Sequence, residues 1–556
     1  MKKRKNMVAV ILGLVMCLTM LAACGGNSGT DAGSETPSAA TTGTPGTTDA
    51  PSASSTPVSG QEPVDAPPPE GARFAEHIEV IMDNNTVGTL NPMSPASGTP
   101  STNHTFTMIH DRLLNYSIEN GEYRPSLATE WGTDDYQTFT FKLREDVYFH
   151  NGDKLTAHDV VYTANLGKEA LGSNAYTQWS VIDTARAVED YVVEFVTHQV
   201  FVDFYYNLCM PMSGILNERA ISADPDLGAA VGTGAFKLAG FAPGDFVSVE
   251  RNDDYWGEIP ITKSLTIRFV PEVAARTIMM LNGEAQVCMG LSAEDVFLFQ
   301  REPDNYTVTR QEINNPQGIS FNMTDPITGD YNFRMAVIHA MDKAAANTAA
   351  LGEWWKMPDG DGSFWGQYTE FRNTSIPHVP YDTELAKEYL AKSSYNGEVV
   401  QIAVALFPNL KIMEVVQQNL REIGITTELV QMDAPSLNAL FSAEPNRSQI
   451  IMHGLQFTLV AASARQNFLP GGSQNRASYN NPEVTELLNE AASTFDKEER
   501  GALYMRVQEI VAEERPYDTV HWLLLHPITV KGIGGLYIPP DSHWIDYRGI
   551  FWAIDD

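Results

Sequence analysis

Asp253 and Asp254 are adjacent acids of the kind that can serve general acid and base chemistry, and the chain's histidines could serve as bases or metal ligands. Neither set has the context its chemistry needs. His104 and His110 miss the i, i+4 spacing of a helical metal site, and His521 and His526 stand five apart on an expected strand, which sends them to opposite faces. No CxxC or HExxH occurs, so no free metal ion is expected. There is no GxSxG and no neighbouring Ser, His and Asp in a recognisable setting, so a nucleophile, its base and an oxyanion site are not supplied together. Asp253 and Asp254 sit in what reads as a turn beside a strand, fixed by Arg251, Asp253 and Tyr255. Gly232-Thr233-Gly234 lacks the third glycine and the strand-to-helix context of a phosphate loop, and its glycines read as positions of close backbone approach or positive φ. The chain is expected to be no enzyme and to carry no cofactor.

One residue does have a setting that calls for covalent chemistry. Lys2, Lys3, Arg4 and Lys5 form a cationic start, Met7 to Met20 is apolar, and Leu21-Ala22-Ala23-Cys24 follows. That order is an export signal, too short in its apolar run to be a stable span. Leu-Ala-Ala-Cys looks like a bacterial lipobox, which implies cleavage before Cys24 and acylation of its thiol, the alternative being an ordinary secretory signal with an incidental cysteine. Cleavage would take the formal charge from -33 to -37 by removing four cations. Cys209 and Cys288 remain, each among apolar neighbours, and read as buried free thiols.

The elements that must position any site follow from length and patterning. With 556 residues, 43% of them hydrophobic, the chain can bury large cores and form two or three domains. It has no Lys/Arg-rich block beyond the first residues, which excludes a nucleic-acid footprint, and its acidity reads as a solubility feature. Gly25 to Gly71 is Gly, Ser, Thr, Pro, Ala and a few acids without one aromatic, an expected disordered tether that would span roughly 35 to 40 Å as a flexible coil.

Beyond it, His77 to Ile81 predicts a strand, Phe106 to Leu114 a helix, and Phe139, Phe141 and Leu143, alternating with polar residues, a half-buried strand. Asn151-Gly152 predicts a turn, and Thr156 with Asp159 a capping box opening a helix. Farther on come a helix through Val415 to Arg421 ended at Gly424, a strand from Ile425 to Val430, helices opened at Asn481-Pro482 and Asp496, and a strand from Thr519 to Leu525. This is α/β patterning without an internal repeat.

From about residue 77 to 535 the chain resembles the bacterial extracellular solute-binding proteins of the peptide, dipeptide and nickel class. The residues that carry the resemblance are Leu127-Ala128-Thr129-Glu130-Trp131, Phe139 to Val147 with Phe149-His150-Asn151-Gly152, and Leu155 to Val160. Val231 to Leu238, Glu250 to Trp256, Leu281 to Ala285, Phe321-Asn322, Phe333 to Ala336 and Ala340 to Lys343 continue it in order.

The resemblance implies a two-lobed periplasmic-binding-protein clamshell of the large peptide-binding, type II class, with an extra subdomain in lobe one. Its expected parts are a signal peptide over 1–23, an acylated Cys24 and tether over 24–71, lobe one over 72–115 and 226–312, and a subdomain over 116–225. Lobe two is expected over 313–528 and a return to lobe one over 529–556. It implies capture of a small solute between the lobes, with closure raised by contacts made only when they meet, and delivery to the permease and ATPase of an ABC importer. The expected protein is a monomer held by its N-terminal lipid on the extracytoplasmic face of the cell membrane.

Peptide binders of this family often place an Asp in lobe two against the peptide's free amino group. The matching stretch here, Ile450 to Leu459, has no carboxylate, and Thr458 stands near that place. An unblocked peptide would lose a charge partner there, so a modified peptide, a glycan or a metal chelate stays open beside a peptide-like solute, with His453 a possible chelate contact. The resemblance points to Arg465, able to grip a carboxylate with two hydrogen bonds, and to Gln456, Phe457, Thr458 and Asn467 as cleft wall. Met93 and Ser94, with Ser97 and Thr102, are expected at the cleft mouth, and Trp365, or Trp354 and Trp355, as an aromatic facing the solute. A sensor or adhesin uncoupled from import, and less readily a surface hydrolase, are the competing readings.

Overall fold

Residue order and burial show how the strands are specified. In the computed structural model Thr138–Leu143 is a strand whose Phe139, Phe141 and Leu143 are buried while Thr140 and Lys142 face solvent. It is the second strand of a four-stranded antiparallel sheet, ordered Ala128–Gly132, Thr138–Leu143, Val192–Thr197 and Ile182–Glu189. The structure describes residues 68–83, 87–97, 100–118, 121–171, 173–352, 354–355, 362–405, 409–432, 436–437, 448–540 and 544–554, so Cys24, the signal and nearly all of the tether lie outside the described residues. The capping box forms as predicted: the Thr156 N–H donates to the Asp159 carboxylate at 3.0 Å and opens the helix Ala157–Glu169. Val160 and Ala164 of that helix join Phe139, Phe141 and Phe195 in one core. These elements are the subdomain of lobe one.

Lobe one is built on a seven-stranded sheet, ordered Tyr306–Val308, Ile528–Val530, Val287–Cys288, His77–Met82, Ser264–Phe269, Phe246–Arg251 and Phe236–Ala242. The early strand His77–Met82 is parallel to both its neighbours, and the remaining pairs are antiparallel. A small sheet of Arg73–Phe74, Phe551–Ile554 and Ile533–Gly534 returns the C-terminal segment to the start of the lobe.

Lobe two carries a five-stranded sheet, ordered Thr426–Met432, Val399–Ala405, Ile450–Gly454, Gln311–Phe321 and Tyr517–Leu525. Val400, Ile402, Ala403 and Val404 are all fully buried, as a parallel strand covered on both faces requires. Two consecutive strand pairs pass from one sheet to the other: Tyr306–Val308 runs on into Gln311–Phe321, and Tyr517–Leu525 into Ile528–Val530. The two crossing strands pair antiparallel, with Gln311 opposite Leu525. A hinge of this kind lets two sheets move about a few residues.

The helix expected over Phe106 to Leu114 is shorter than its apolar run. It spans Pro100–Ile109, and Leu114–Ser117 is a strand. The reason is tertiary: the carbonyls of Ile109, Asp111, Arg112 and Leu113 accept from the N–H groups of Gly234, Ile215, Leu127 and Ala128, so they are not available to a further helical turn. Gly234 and Gly232 permit this approach. A Cβ at Gly232 would lie 1.9 Å from the Ile109 carbonyl oxygen and one at Gly234 2.4 Å from that of Met108, so close packing and not positive φ explains both. His526 falls just beyond the strand Tyr517–Leu525 that was expected to hold it. Cys209 and Cys288 are free and buried, as read from their neighbours.

Candidate functional site

The departure of the chain from the Pro100–Ile109 helix sets up the site. Asp111 and Arg112, 3% and 4% exposed, are charged residues inside an otherwise apolar run. Asp111 is held on all sides by neutral donors: Thr233 Oγ1 at 3.1 Å, the Tyr255 hydroxyl at 2.9 Å and Trp256 Nε1 at 2.8 Å. Burial raises its carboxyl above the ordinary range, against the lowering pull of Arg548 and these three donors. The Arg251–Asp253 contact, 2.7 Å, makes the expected turn, and that turn delivers Tyr255 and Trp256 to Asp111. The adjacent acids Asp253 and Asp254 are therefore part of a scaffold.

Beside Asp111 lies a cavity of about 270 Å³, just under the usual range of solute pockets, about 300–1,000 Å³. Its wall comes from the end of this helical segment, the Leu114–Ser117 and Glu122–Pro125 hairpin, the segment near Tyr206, the C-terminal return, and Leu459 of lobe two. Three guanidinium groups, Arg112, Arg124 and Arg548, line it together with one carboxylate, Asp546. Tyr116 and Tyr206 meet edge to face, centroids 5.2 Å apart, and Trp544 lies under the Arg112 guanidinium at 5.1 Å.

The charges are unequally satisfied. Arg548 grips Asp546 through Nε, 2.9 and 3.0 Å from its two oxygens, and through a terminal nitrogen. Burial alone would raise the Asp546 carboxyl, but the charge and hydrogen bonds of Arg548 hold it below the ordinary carboxylate range, and Asp546 in turn raises Arg548. Arg112 donates to two neutral acceptors, the Cys209 carbonyl at 2.9 Å and Asn115 Oδ1 at 3.0 Å, and its Nε has no hydrogen-bond partner among the described residues. Burial, and after it the charge of Arg548, lowers its pKa. Burial likewise pushes the Tyr116 phenol up to about 12, so it is a neutral hydroxyl.

The lobes touch at this cavity. The Leu459 N–H donates to the Tyr206 hydroxyl at 3.3 Å, and Leu459 and Val460 pack with Tyr206 and Met210. Asn314, on the crossing strand and 1% exposed, pins the lobe-two segment from behind. Its Nδ2 donates to the carbonyls of Phe457 and Thr458 and to Thr369 Oγ1, and its Oδ1 accepts from the Tyr368 N–H.

The residues expected at the site are placed in several environments. Phe457 and Trp365 are buried at 1% and 0% exposure, ring centroids 5.0 Å apart, in the core under the Pro482–Ala491 and Lys497–Glu514 helices. Arg465 donates to the Leu488 carbonyl at 2.8 Å and Asn489 Oδ1 at 3.0 Å, and Asn467, buried, donates to the Gln456 and Ser463 carbonyls. Thr458 Oγ1 donates to the Val460 carbonyl at 3.3 Å, and Gln456 is exposed. Met93 and Ser94 lie on a loop where Met93 packs on the lobe-one cores and the Ser94 carbonyl accepts from Ser97 Oγ. None of these eight lines the cavity; their neighbour Leu459 does. His453 is buried between Ser320 Oγ and the Gly454 carbonyl, its pKa lowered to about 3 by burial, and Trp354 packs on His526. Among the described residues no group of His, Cys, Asp and Glu could hold a metal ion.

Arg112, Tyr116, Tyr206, Trp544 and Arg548 were not singled out from the sequence. A signal existed for Arg112, since charge between the apolar Ile109 and Leu113-Leu114 marks a buried polar group. Nothing local announces that Asp546 and Arg548, more than 400 positions away, meet it.

Two α/β lobes joined by paired crossing strands, with a cavity where they touch, define a clamshell binding protein of the type II class. The family model of the bacterial extracellular solute-binding proteins, family 5, matches residues 122–477, and the chain belongs to that family. It is 25% identical over 427 residues to the glutathione-binding protein GsiB of Pectobacterium atrosepticum, covering 73% of this chain and 81% of that one. The solved structure of the ABC transporter substrate-binding protein CtaP from Listeria monocytogenes superposes with a TM-score of 0.76 at 20% identity, covering 87% of this chain and 100% of that one. That of DppA from Helicobacter pylori in complex with the peptide STSA gives 0.73 at 20% identity, covering 87% and 99%. The chain is an extracytoplasmic solute-binding receptor of the ABC-importer class, and its family consists of binding proteins. Among the described residues no helix is long and apolar enough to cross a membrane.

Proposed function

We propose that this protein captures a small, peptide-like solute in the cavity between Arg112, Tyr116, Tyr206 and Leu459, performs no chemistry on it, and hands it to a permease and its ATPase. The observation that carries this reading is that one cavity draws its wall from both lobes, the only arrangement in which filling the site also favours closure. Relatives named for binding glutathione support a peptide-like cargo. The segment expected to supply contacts, Ile450 to Asn467, reaches the cavity at Leu459.

Localisation follows from the N-terminus: Cys24 carries a lipid that holds the chain at the extracytoplasmic face of the membrane, and the lobe boundaries fall near 116, 226, 313 and 529. Two experiments test the proposal. Native mass spectrometry of the purified chain should find a co-eluting solute that is lost in Tyr116→Ala; an unchanged bound mass in that variant places capture elsewhere. Cys24→Ser should abolish labelling by radioactive palmitate and release the protein to the medium or periplasm; retained label refutes the anchor.

A further inference from the structure

Among the described residues that line it, the cavity has three guanidinium groups and one carboxylate. Arg112 is buried, and both of its hydrogen bonds go to neutral oxygens, while its Nε has no partner among the described residues. Among the described residues, the two carboxylates that act on Arg112 hydrogen-bond elsewhere: Asp546 to the fork of Arg548, and Asp111 to Thr233, Tyr255 and Trp256. A buried charge facing only neutral acceptors is destabilising, and such a group is retained where an opposite charge arrives from outside. Arg124 lines the same wall.

The opposite wall is of another kind. Ile118, Met210 and Leu459 are apolar, and Tyr116 and Tyr206 present rings. The Ile450–Leu459 segment supplies no carboxylate that could receive an ammonium. A solute filling this space has an anionic end and an apolar body.

We infer that the cavity selects small solutes by a carboxylate, bound by Arg112 in lobe one with Trp544 stacked beneath it, and that a free amino group is not required. This rests on the capture reading above and names the class of cargo. Arg112 is a specificity residue: its planar fork can present two parallel donors to a carboxylate, which a lysine cannot.

The test is isothermal titration of the detergent-solubilised full chain with reduced glutathione, the dipeptide Ala-Leu, Ala-Leu amide and N-acetyl-Ala-Leu. The expected result is that amidation of the carboxylate weakens binding by about 10- to 100-fold, the worth of a charge-assisted contact, while acetylation of the amine weakens it by less than about threefold. In Arg112→Met the preference for carboxylate over amide disappears with the denaturation midpoint near that of the parent, because the buried charge goes with the fork. Should Arg112→Met not fold, Arg112→Lys serves: it keeps the charge, and the carboxylate preference falls without vanishing. Loss of binding on acetylation with none on amidation, an undiminished preference in either variant, or no binding of any free carboxylate up to about 1 mM overturns the inference. Tyr116→Ala separates the two claims. If it abolishes binding of acid and amide alike while both bind the parent equally, the cavity is the capture site and the carboxylate inference alone fails; if it changes neither, the capture reading fails.

Discussion

Asn314→Ala should loosen the wall of the cavity from a position that does not touch it. Asn314 is 1% exposed, and its side chain satisfies the Phe457 carbonyl, shares the Thr458 carbonyl with Thr369, and accepts from the Tyr368 N–H. The alanine removes all of these and leaves the Thr458 carbonyl with Thr369 Oγ1 at 2.7 Å. One buried backbone group, the Phe457 carbonyl, loses the Asn314 contact at about 1–3 kcal/mol, whereas the Tyr368 N–H belongs to an exposed residue that water can reach, so lobe two should be destabilised by about 1–3 kcal/mol. The loss reaches the site because Leu459 follows directly and donates to Tyr206 across the lobes at 3.3 Å. Urea unfolding followed by tryptophan fluorescence measures the first effect, and titration with whichever solute binds the parent measures the second, expected to be a tenfold or greater weakening, about 1.4 kcal/mol. A midpoint and affinity both indistinguishable from the parent would refute the view that Asn314 holds this segment. An affinity unchanged despite lower stability would refute only its link to the cavity.

Gly232→Ala should fail to accumulate as soluble protein, or unfold at clearly lower urea, because its Cβ would lie 1.9 Å from the Ile109 carbonyl oxygen, a backbone atom that cannot move aside; overpacking alone costs about 1–3 kcal/mol, and urea unfolding of any soluble fraction checks it. Stability should also fall in acid. Burial lowers His110 to about 4 and His104 to about 3 from an ordinary value of 6.5, so the unfolded chain binds protons that the folded one refuses. That stability is present above pH 6.5 and is lost as pH falls from there towards 4, by about 1.4 kcal/mol per unit for each histidine, measurable as a falling urea midpoint that His110→Gln makes shallower.

What the sequence determined is what local chemistry and periodicity can encode. The Thr156–Asp159 box, the alternation through Phe139 to Leu143, the Asn481 and Asp496 caps and the isolation of Cys209 and Cys288 each depend on residues within a few positions, and the structure shows them. The family, and with it the two-lobed class, was legible from motifs that mostly build scaffold: Glu250 to Trp256 could be recognised although its purpose, holding Asp111 with Tyr255 and Trp256, could not. Only the tertiary structure decided where the helix after Pro100 stops, because carbonyls of Ile109 to Leu113 are taken by distant N–H groups whose competition no local propensity records. It decided the site for the same reason. Trp365 and Phe457 look like cleft aromatics in a linear chain but pack against each other in a core. Arg112, Tyr206, Leu459 and Arg548 lie far apart in sequence and share a cavity because two crossing strands and a C-terminal return fold them together. A clamshell site is a property of the gap between lobes, and the residues that face a gap are selected by packing over the whole chain.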